Sequence, residues 1–130
     1  MIKKAILVVG MILVKNLAYC QIDCKNFRIG KFQNIENGIV TCDIQRNDSI
    51  QIETYNEILI KTRINWIDSC SYKLRFLEGN DAFWATREKN APTPDLIVRI
   101  IKVKKNSYLQ EARFEGDTEF KYESRIIKIE

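Results

Sequence analysis

The central segment of the chain reads Ile64-Asn65-Trp66-Ile67-Asp68-Ser69-Cys70-Ser71-Tyr72-Lys73-Leu74. Apolar and polar residues alternate on both sides of its polar corner, which is the period-two pattern of half-buried strands. Two apolar faces result, one before and one after the corner: Ile58, Ile60, Thr62, Ile64 and Trp66; and Cys70, Tyr72, Leu74 and Phe76. The segment therefore predicts two neighbouring strands joined by a short turn.

The length of this turn decides whether the two apolar faces lie on the same side of the sheet. A two-residue loop of Asp68 and Ser69 would send them to opposite sides, because the side-chain direction alternates at every residue. A three-residue loop, 67–69, places Trp66 opposite Cys70 with both side chains inside. We therefore expect the three-residue loop, with Trp66, Cys70 and Tyr72 at the structural centre.

Similar alternation recurs along the rest of the chain. It predicts further strands at residues 25–32, 39–46, 49–54, 96–103, 107–114 and 118–129. In the third of these, Ile50 and Ile52 are expected inside, with Gln51 and Glu53 outside. Short connections favour antiparallel neighbours. The predicted fold class is all-β, an antiparallel meander of seven to eight strands that forms a small barrel or a strongly curved sheet.

Residues 1–20 have the layout of a secretory signal peptide, with a basic start, an apolar run of about ten residues and a polar end. We expect a signal-peptide helix that is cleaved between Cys20 and Gln21, leaving one β domain at 21–130. The alternative is a lipoprotein acylated on Cys20. The predicted location is periplasmic or extracellular, with a membrane attachment only if Cys20 is acylated.

The charge balance changes when this leader is removed. The whole chain has 21 Lys and Arg against 17 Asp and Glu, a formal charge of +4. The leader holds three of the lysines and no acidic residue, so the remainder is close to neutral at +1. Nucleic-acid binding would require a clustered basic patch. We therefore expect no nucleic-acid partner.

Three cysteines remain after cleavage, and an odd number leaves one thiol unpaired. We expect a disulfide between Cys24 and Cys70, because closing a loop of this length would stabilise the fold by roughly 3–4 kcal/mol. Cys42 lies between apolar residues and is expected to be a buried, inert thiol. If Cys20 is retained without acylation, a second bridge to Cys42 becomes an option.

The residues needed for several kinds of chemistry are missing. The chain has no histidine, which removes the commonest general base and the imidazole ligands of most catalytic zinc sites. It has no phosphate-binding or dinucleotide-binding motif. Five carboxylates are expected on outer strand faces or in turns: Asp43, Asp48, Glu53, Asp68 and Glu111. We therefore expect no catalytic residue, no metal site, no cofactor and no enzyme activity.

A long connection at residues 77–95 interrupts the strands. Gly and Pro punctuate it, and residues 82–89 are predicted to form a short helix capped by Asn80 or Asp81. Phe83 and Trp84 within it have two interpretations. They form a lid or contact surface for a ligand, or they close one end of the fold, which is the interpretation we favour.

Three features before Leu77 are distinctive: the run Cys24-Lys25-Asn26-Phe27-Arg28-Ile29-Gly30-Lys31-Phe32, Arg46 followed by Gln51 and Glu53, and Trp66 followed by Cys70 and Tyr72. In them the chain resembles a group of short secreted proteins of Gram-negative bacteria that have no assigned activity. Some members carry a DNA topoisomerase IV label, which this short chain, with no metal-binding carboxylate cluster, does not support. Gly30-Lys31-Phe32 is also similar to the opening of lipocalin-like barrels, which implies the same meander topology.

Two functions are consistent with these observations. The first is a binding module whose inward face holds a small apolar ligand, with Trp66, Tyr72, Phe83 and Trp84 as candidate ligand or lid residues. The inward face is predicted to carry Ile60, Trp66, Tyr72, Phe76, Phe114, Phe120 and Tyr122. We expect these bulky side chains to fill the interior. The second is a structural or protein-interaction module whose partner is an envelope protein.

Overall fold

The computed structural model describes residues 23–119 and 121–130. The predicted signal peptide, Cys20 and the Phe120 side chain lie outside these residues. A 3-10 helix, Lys25–Phe27, precedes the strands. The strands are β1 (Gly30–Glu36), β2 (Ile39–Arg46), β3 (Ile50–Tyr55), β4 (Ile58–Asp68), β5 (Ser71–Gly79), β6 (Leu96–Lys104), β7 (Ser107–Phe114) and β8 (Tyr122–Lys128), and helix α1 (Asp81–Ala85) lies between β5 and β6.

The eight strands form a closed antiparallel barrel in sequence order. Each strand pairs with the next, and β8 returns to pair with β1 from Phe32↔Lys128 to Ile35↔Arg125. Closure leaves no unpaired sheet edge within the barrel. The predicted all-β meander is therefore confirmed, and of the two predicted shapes it is the barrel.

The alternating strand direction gives the barrel two distinct ends. The β1–β2, β3–β4, β5–β6 and β7–β8 connections lie at one end, which we call the helix end because it carries α1. The 3-10 helix and the β4–β5 turn lie at the other, which we call the disulfide end because Cys24 and Cys70 are joined there. The predicted disulfide is thus confirmed, and it ties the chain before β1 to the central hairpin.

The prediction of a first strand at 25–32 is wrong for the first half of that range. Residues 25–27 form the 3-10 helix instead, and Phe27 points into the barrel, where only 1% of its surface is exposed. The strand begins at Gly30, whose φ of 142° and close approach to the backbone oxygen of Glu130 leave no room for a Cβ atom. Strand β1 continues to Glu36, beyond the predicted end at residue 32.

The central hairpin has the predicted faces but a different turn. Ser69 and Cys70 alone separate the strands, and Ile67 is an extra residue between the pairs Trp66↔Tyr72 and Asp68↔Ser71. The predicted three-residue loop and the pairing of Trp66 with Cys70 are therefore wrong. A β-bulge supplies the odd residue that the parity argument required, so Trp66 and Tyr72 still share the inner side.

The inward and outward faces of strand β3 are the reverse of the prediction. Its register pairs Arg46 with Gln51 and Ile44 with Glu53. Directly opposed residues lie on the same side of a sheet. Because Ile44 and Arg46 are buried, at 3% and 4% exposure, Gln51 and Glu53 must also face the interior. The prediction that placed Glu53 and Gln51 outside is therefore wrong.

Candidate functional site

The interior of the barrel contains two adjacent cavities. The central cavity has a volume of about 360 Å³, and the helix-side cavity, bordered by α1, has a volume of about 380 Å³. Four residues line both of them: Glu53, Leu74, Leu96 and Phe114. The expectation that bulky side chains fill the interior is therefore wrong. Each cavity falls within the range of small-molecule sites, roughly 300–1,000 Å³.

The walls of the cavities are mainly apolar, with a few polar groups on one side. Ile44, Val98, Ala112 and Ile126 contribute apolar wall to the central cavity. The helix-side cavity is walled by Ile60, Phe76, Phe83 and Thr62 and reaches the surface beside the exposed Arg87. Apolar walls with a small number of convergent polar groups are typical of ligand sites.

Arg46 forms a polar floor between the central cavity and the disulfide end. Its Nη1 donates to the backbone oxygen of Phe27 at 2.7 Å, and its Nε donates to Gln51 Oε1 at 2.9 Å. Its Nη2 donates to the hydroxyl oxygens of Tyr72 and Tyr108, both at 3.2 Å. The guanidinium also lies over the ring of Phe32, 4.6 Å from its centroid. Four hydrogen bonds fix this buried cation in place.

The ionisation of the floor follows from its burial. Desolvation opposes the charge of Arg46, but the phenols of Tyr72 and Tyr108 favour it, and the net effect raises the pKa of Arg46. Burial, together with the neighbouring Tyr108, raises the pKa of Tyr72 well above its ordinary value. At physiological pH the floor is therefore a buried cation beside the neutral phenol of Tyr72.

A chain of hydrogen bonds leads from this floor along the wall of the central cavity. Gln51 Nε2 donates to Glu53 Oε1 at 3.0 Å. On the opposite side, Tyr72 donates to Gln110 Oε1 at 3.1 Å, and Gln110 Nε2 donates to Ser124 Oγ at 3.0 Å. These bonds fix the orientation of both amide side chains.

Two acidic residues line the central cavity, the exposed Glu36 and the more buried Glu53. Part of the Glu53 side chain is exposed to the cavities, so the residue is half-buried. Protein nevertheless surrounds the carboxyl group, and desolvation raises its pKa despite the opposing influence of the Gln51 hydrogen bond and the Arg46 charge. Because it lines both cavities, Glu53 lies at their junction.

Helix α1 closes part of the helix end with aromatic rings. Asn80 caps it, as one of the two predicted alternatives, by accepting from Phe83 N at 3.0 Å. The helix ends at Ala85, shorter than the predicted 82–89. Phe83 stacks on Phe76 with 5.3 Å between ring centroids and is 3% exposed. Phe83 thus plugs the helix end and lines the helix-side cavity.

The four predicted ligand or lid residues do not form one site. Tyr72 lines the central cavity and Phe83 lines the helix-side cavity. Trp66 lines neither of them; it packs beside Tyr72, 4.8 Å between centroids, and under Arg28 near the disulfide end. Trp84 is 40% exposed and lies outside both cavities.

The other predicted inward residues agree better with the cavities. Ile60 and Phe76 line the helix-side cavity, Tyr122 lines the central one, and Phe114 lines both. The sequence interpretation missed Arg46, Gln51 and Glu53 as interior groups. Their spacing was part of the noted resemblance, and an arginine opposite a glutamine across a tight turn is the signal that could have identified them.

Cys42 is the unpaired thiol at the wall of the central cavity. Burial, with smaller effects from Glu53 and Asp43, raises its pKa from 9.0 to about 12. Such a thiol is poorly nucleophilic at neutral pH, because the thiolate is the reactive form.

Within residues 23–119 and 121–130, no three His, Cys, Asp or Glu side chains are grouped to hold a metal ion. Among the same residues, no helix has the length and apolarity needed to span a membrane. Comparison with protein-family models, curated proteins and solved structures finds no match for the chain.

Proposed function

We propose that this protein is a small exported barrel that binds a small, largely apolar ligand in its interior and catalyses no reaction. The observation that carries the proposal is the pair of adjacent interior cavities, about 360 and 380 Å³, with a shared wall. A folded chain gains stability by filling its interior, so unfilled interior space of this size favours a ligand-binding role.

The scaffold around the cavities supports this role. The Arg46 network and the Cys24–Cys70 bridge hold the disulfide end together. A preformed cavity binds its ligand without the cost of ordering the protein. The bridge is also compatible with an oxidising compartment, as export would provide.

The state of the polar groups supports binding rather than catalysis. Arg46 is held by four hydrogen bonds, and burial keeps Tyr72 and Cys42 in their neutral forms. Among the described residues that line the cavities, Glu53 is the carboxyl group that is not exposed, and general acid–base chemistry works best with a partner group of contrasting pKa.

The test is a titration of the disulfide-bonded protein with N-phenyl-1-naphthylamine, a neutral apolar fluorophore. We expect saturable, one-to-one binding. The substitution Leu96→Trp fills the shared wall of both cavities and should weaken binding at least tenfold. Ile101→Trp, on the exposed surface of the same strand, should change it less than twofold.

Circular dichroism would verify that both variants are folded, and Ala112→Leu provides a milder block of the central cavity. Binding that does not saturate, or that both tryptophan variants weaken equally, would contradict the proposal. Native mass spectrometry after mild extraction would show whether a ligand is retained from the cell.

A second candidate function is an interaction module for an envelope protein. The helix end carries exposed apolar side chains at the ends of its strands and on α1, among them Ile39, Val40, Tyr55, Trp84 and Tyr122, each between 40% and 68% exposed. An apolar rim of this kind is a typical contact surface. A pull-down from envelope extract should recover a partner that the double substitution Ile39→Ser and Trp84→Ser releases.

A further inference from the structure

The hydrogen-bonding groups at the wall of the central cavity are unevenly used. Its side-chain amide nitrogens, Asn34 Nδ2, Gln51 Nε2 and Gln110 Nε2, each donate to a protein oxygen at 2.7–3.0 Å. Each of these amide groups therefore commits one of its two N–H groups to the protein. A carboxylate that needed both N–H groups of one amide would have to compete with these bonds.

The acceptor groups of residues at the same wall have unused hydrogen-bonding capacity. Asn34 Oδ1 is buried and has no hydrogen-bond partner among the described residues. Glu53 accepts one side-chain hydrogen bond, from Gln51. A carboxylate has two oxygens and about four lone-pair positions, so it retains most of its accepting capacity. An unsatisfied buried acceptor costs free energy that a donor on a ligand would recover.

The charge of Glu53 is also without a direct counter-ion. Within the described ranges, no lysine or arginine nitrogen lies within ion-pair distance of this carboxyl group. The nearest interior cation, Arg46, is connected to it only through Gln51. Glu53 is thus a desolvated carboxyl group that a cationic donor would stabilise directly.

We propose that the ligand is an amphipathic amine whose ammonium group is held by Glu53, with its hydrocarbon portion in the helix-side cavity. Glu53 lines both cavities, so a head group there leaves the apolar space next to Ile60, Phe76 and Phe83 for the tail. This inference rests on the proposed function and names the chemical class of its ligand.

Arg87 defines the competing arrangement. Its guanidinium lies over the ring of Phe83, 4.5 Å from the centroid, at the border of the helix-side cavity. An anionic amphiphile would place its head group beside Arg87, at the opposite end of the helix-side cavity from Glu53. The two arrangements therefore differ in the sign of the charge that they prefer on the head group.

The experiment uses three probes that share a ten-carbon skeleton and differ in the head group: decylamine, 1-decanol and decanoate. Each is titrated at pH 7 against N-phenyl-1-naphthylamine bound to the disulfide-bonded protein. We expect decylamine to displace the fluorophore at a concentration at least tenfold lower than decanoate does. Glu53→Gln should weaken decylamine binding about tenfold and change 1-decanol binding less than threefold.

Asp43→Asn is the matched control, because it removes an exposed carboxylate from the outer face of β2 and should leave all three affinities unchanged. Equal or tighter binding of decanoate, or its selective loss in Arg87→Gln, would overturn the inference. So would an unchanged amine affinity in Glu53→Gln. If the fluorophore binds but no decyl probe displaces it, the inference fails and the cavity proposal stands; if the fluorophore itself does not bind, both fail.

Discussion

The hydroxyl groups of Tyr72 and Tyr108 lie 2.8 Å apart inside the barrel, although their strands, β5 and β7, are not neighbours. Both accept from the same nitrogen of Arg46, a residue of β2. Phe27, whose ring packs 4.9 Å from Tyr108, accepts from another nitrogen of the same guanidinium. Arg46 therefore links three strands and the 3-10 helix at one point.

Replacing Arg46 should strongly destabilise the barrel. Arg46→Met would leave the Phe27 carbonyl and the Gln51 oxygen buried without their donor. Breaking a buried network in this way costs about 3–5 kcal/mol. Urea unfolding followed by fluorescence would measure the loss. Arg63→Met, at an exposed position of β4, should stay within about 0.5 kcal/mol of the wild type, and equal effects of the two changes would contradict the role of the floor.

Removing the disulfide should also destabilise the fold, for a different reason. Cys24 and Cys70 are 46 residues apart in sequence, so Cys70→Ser frees a long loop in the unfolded chain. The expected loss is about 3–4 kcal/mol on the chain-entropy model. The free energy of unfolding in urea, with and without reductant, gives the readout. Reductant should abolish the difference between the wild type and the variant; a persistent difference would point to lost packing instead.

The thiol of Cys42 should resist alkylation in the native state. Its pKa of about 12 lies three units above the ordinary 9.0. At pH 8 the thiolate is therefore about a thousand-fold rarer than in an unfolded chain, and the thiolate is the species that reacts. Intact-mass analysis after iodoacetamide treatment should show no adduct on the native protein and one adduct on this cysteine in urea. Rapid native alkylation would show that the cavity wall opens frequently.

Glu53→Gln should raise stability at neutral pH and have little effect under acid conditions. Because the folded-state pKa of Glu53 lies above its ordinary 4.5, its stabilising contribution is complete below about 4.5 and is lost as pH rises through the folded value. Arg46 and Gln51 limit this loss, while Cys42 and Tyr72 stay neutral nearby.

Thermal unfolding at pH 4 and pH 7.5 checks this sign. The variant should match the wild type at pH 4 and unfold about 4 °C or more higher at pH 7.5, the shift that roughly 1 kcal/mol produces in a small domain. Asp43→Asn is the surface control and should show no such pH dependence. A Glu53→Gln protein that is less stable at pH 7.5 would indicate that the carboxylate is stabilised by the interior after all.

The fold class was predictable because period-two alternation is a local property of each strand. Ile64, Trp66, Tyr72 and Leu74 faced inward as their spacing predicted. The turn between them was not predictable in detail, because nothing in Ile67 marks it as the extra residue of a bulge. Bulges depend on how neighbouring strands fit, and that information is not local.

The candidate site was largely hidden from the sequence for a related reason. Hydropathy predicted that Ile50 and Ile52 lie on the inner face of β3. In the structure the buried Arg46 is paired with Gln51, so the face with Gln51 is the inner one. One interior cation requires acceptors around it, and this requirement outweighed the burial of two isoleucines. The cavities depend on barrel closure, so their volume could not be derived from side-chain sizes alone.

The pairing of β1 with β8 sets the order in which this protein can complete its folding. Lys128 Nζ donates to Asn26, 102 positions earlier, and Lys31 N donates to the Glu130 carbonyl. These contacts can form only once the last strand has emerged, and long-range pairings of this kind form slowly. Until then the growing sheet has two bare edges that invite association with other chains. The pairing of β8 with β1 is therefore the step that removes both edges at once.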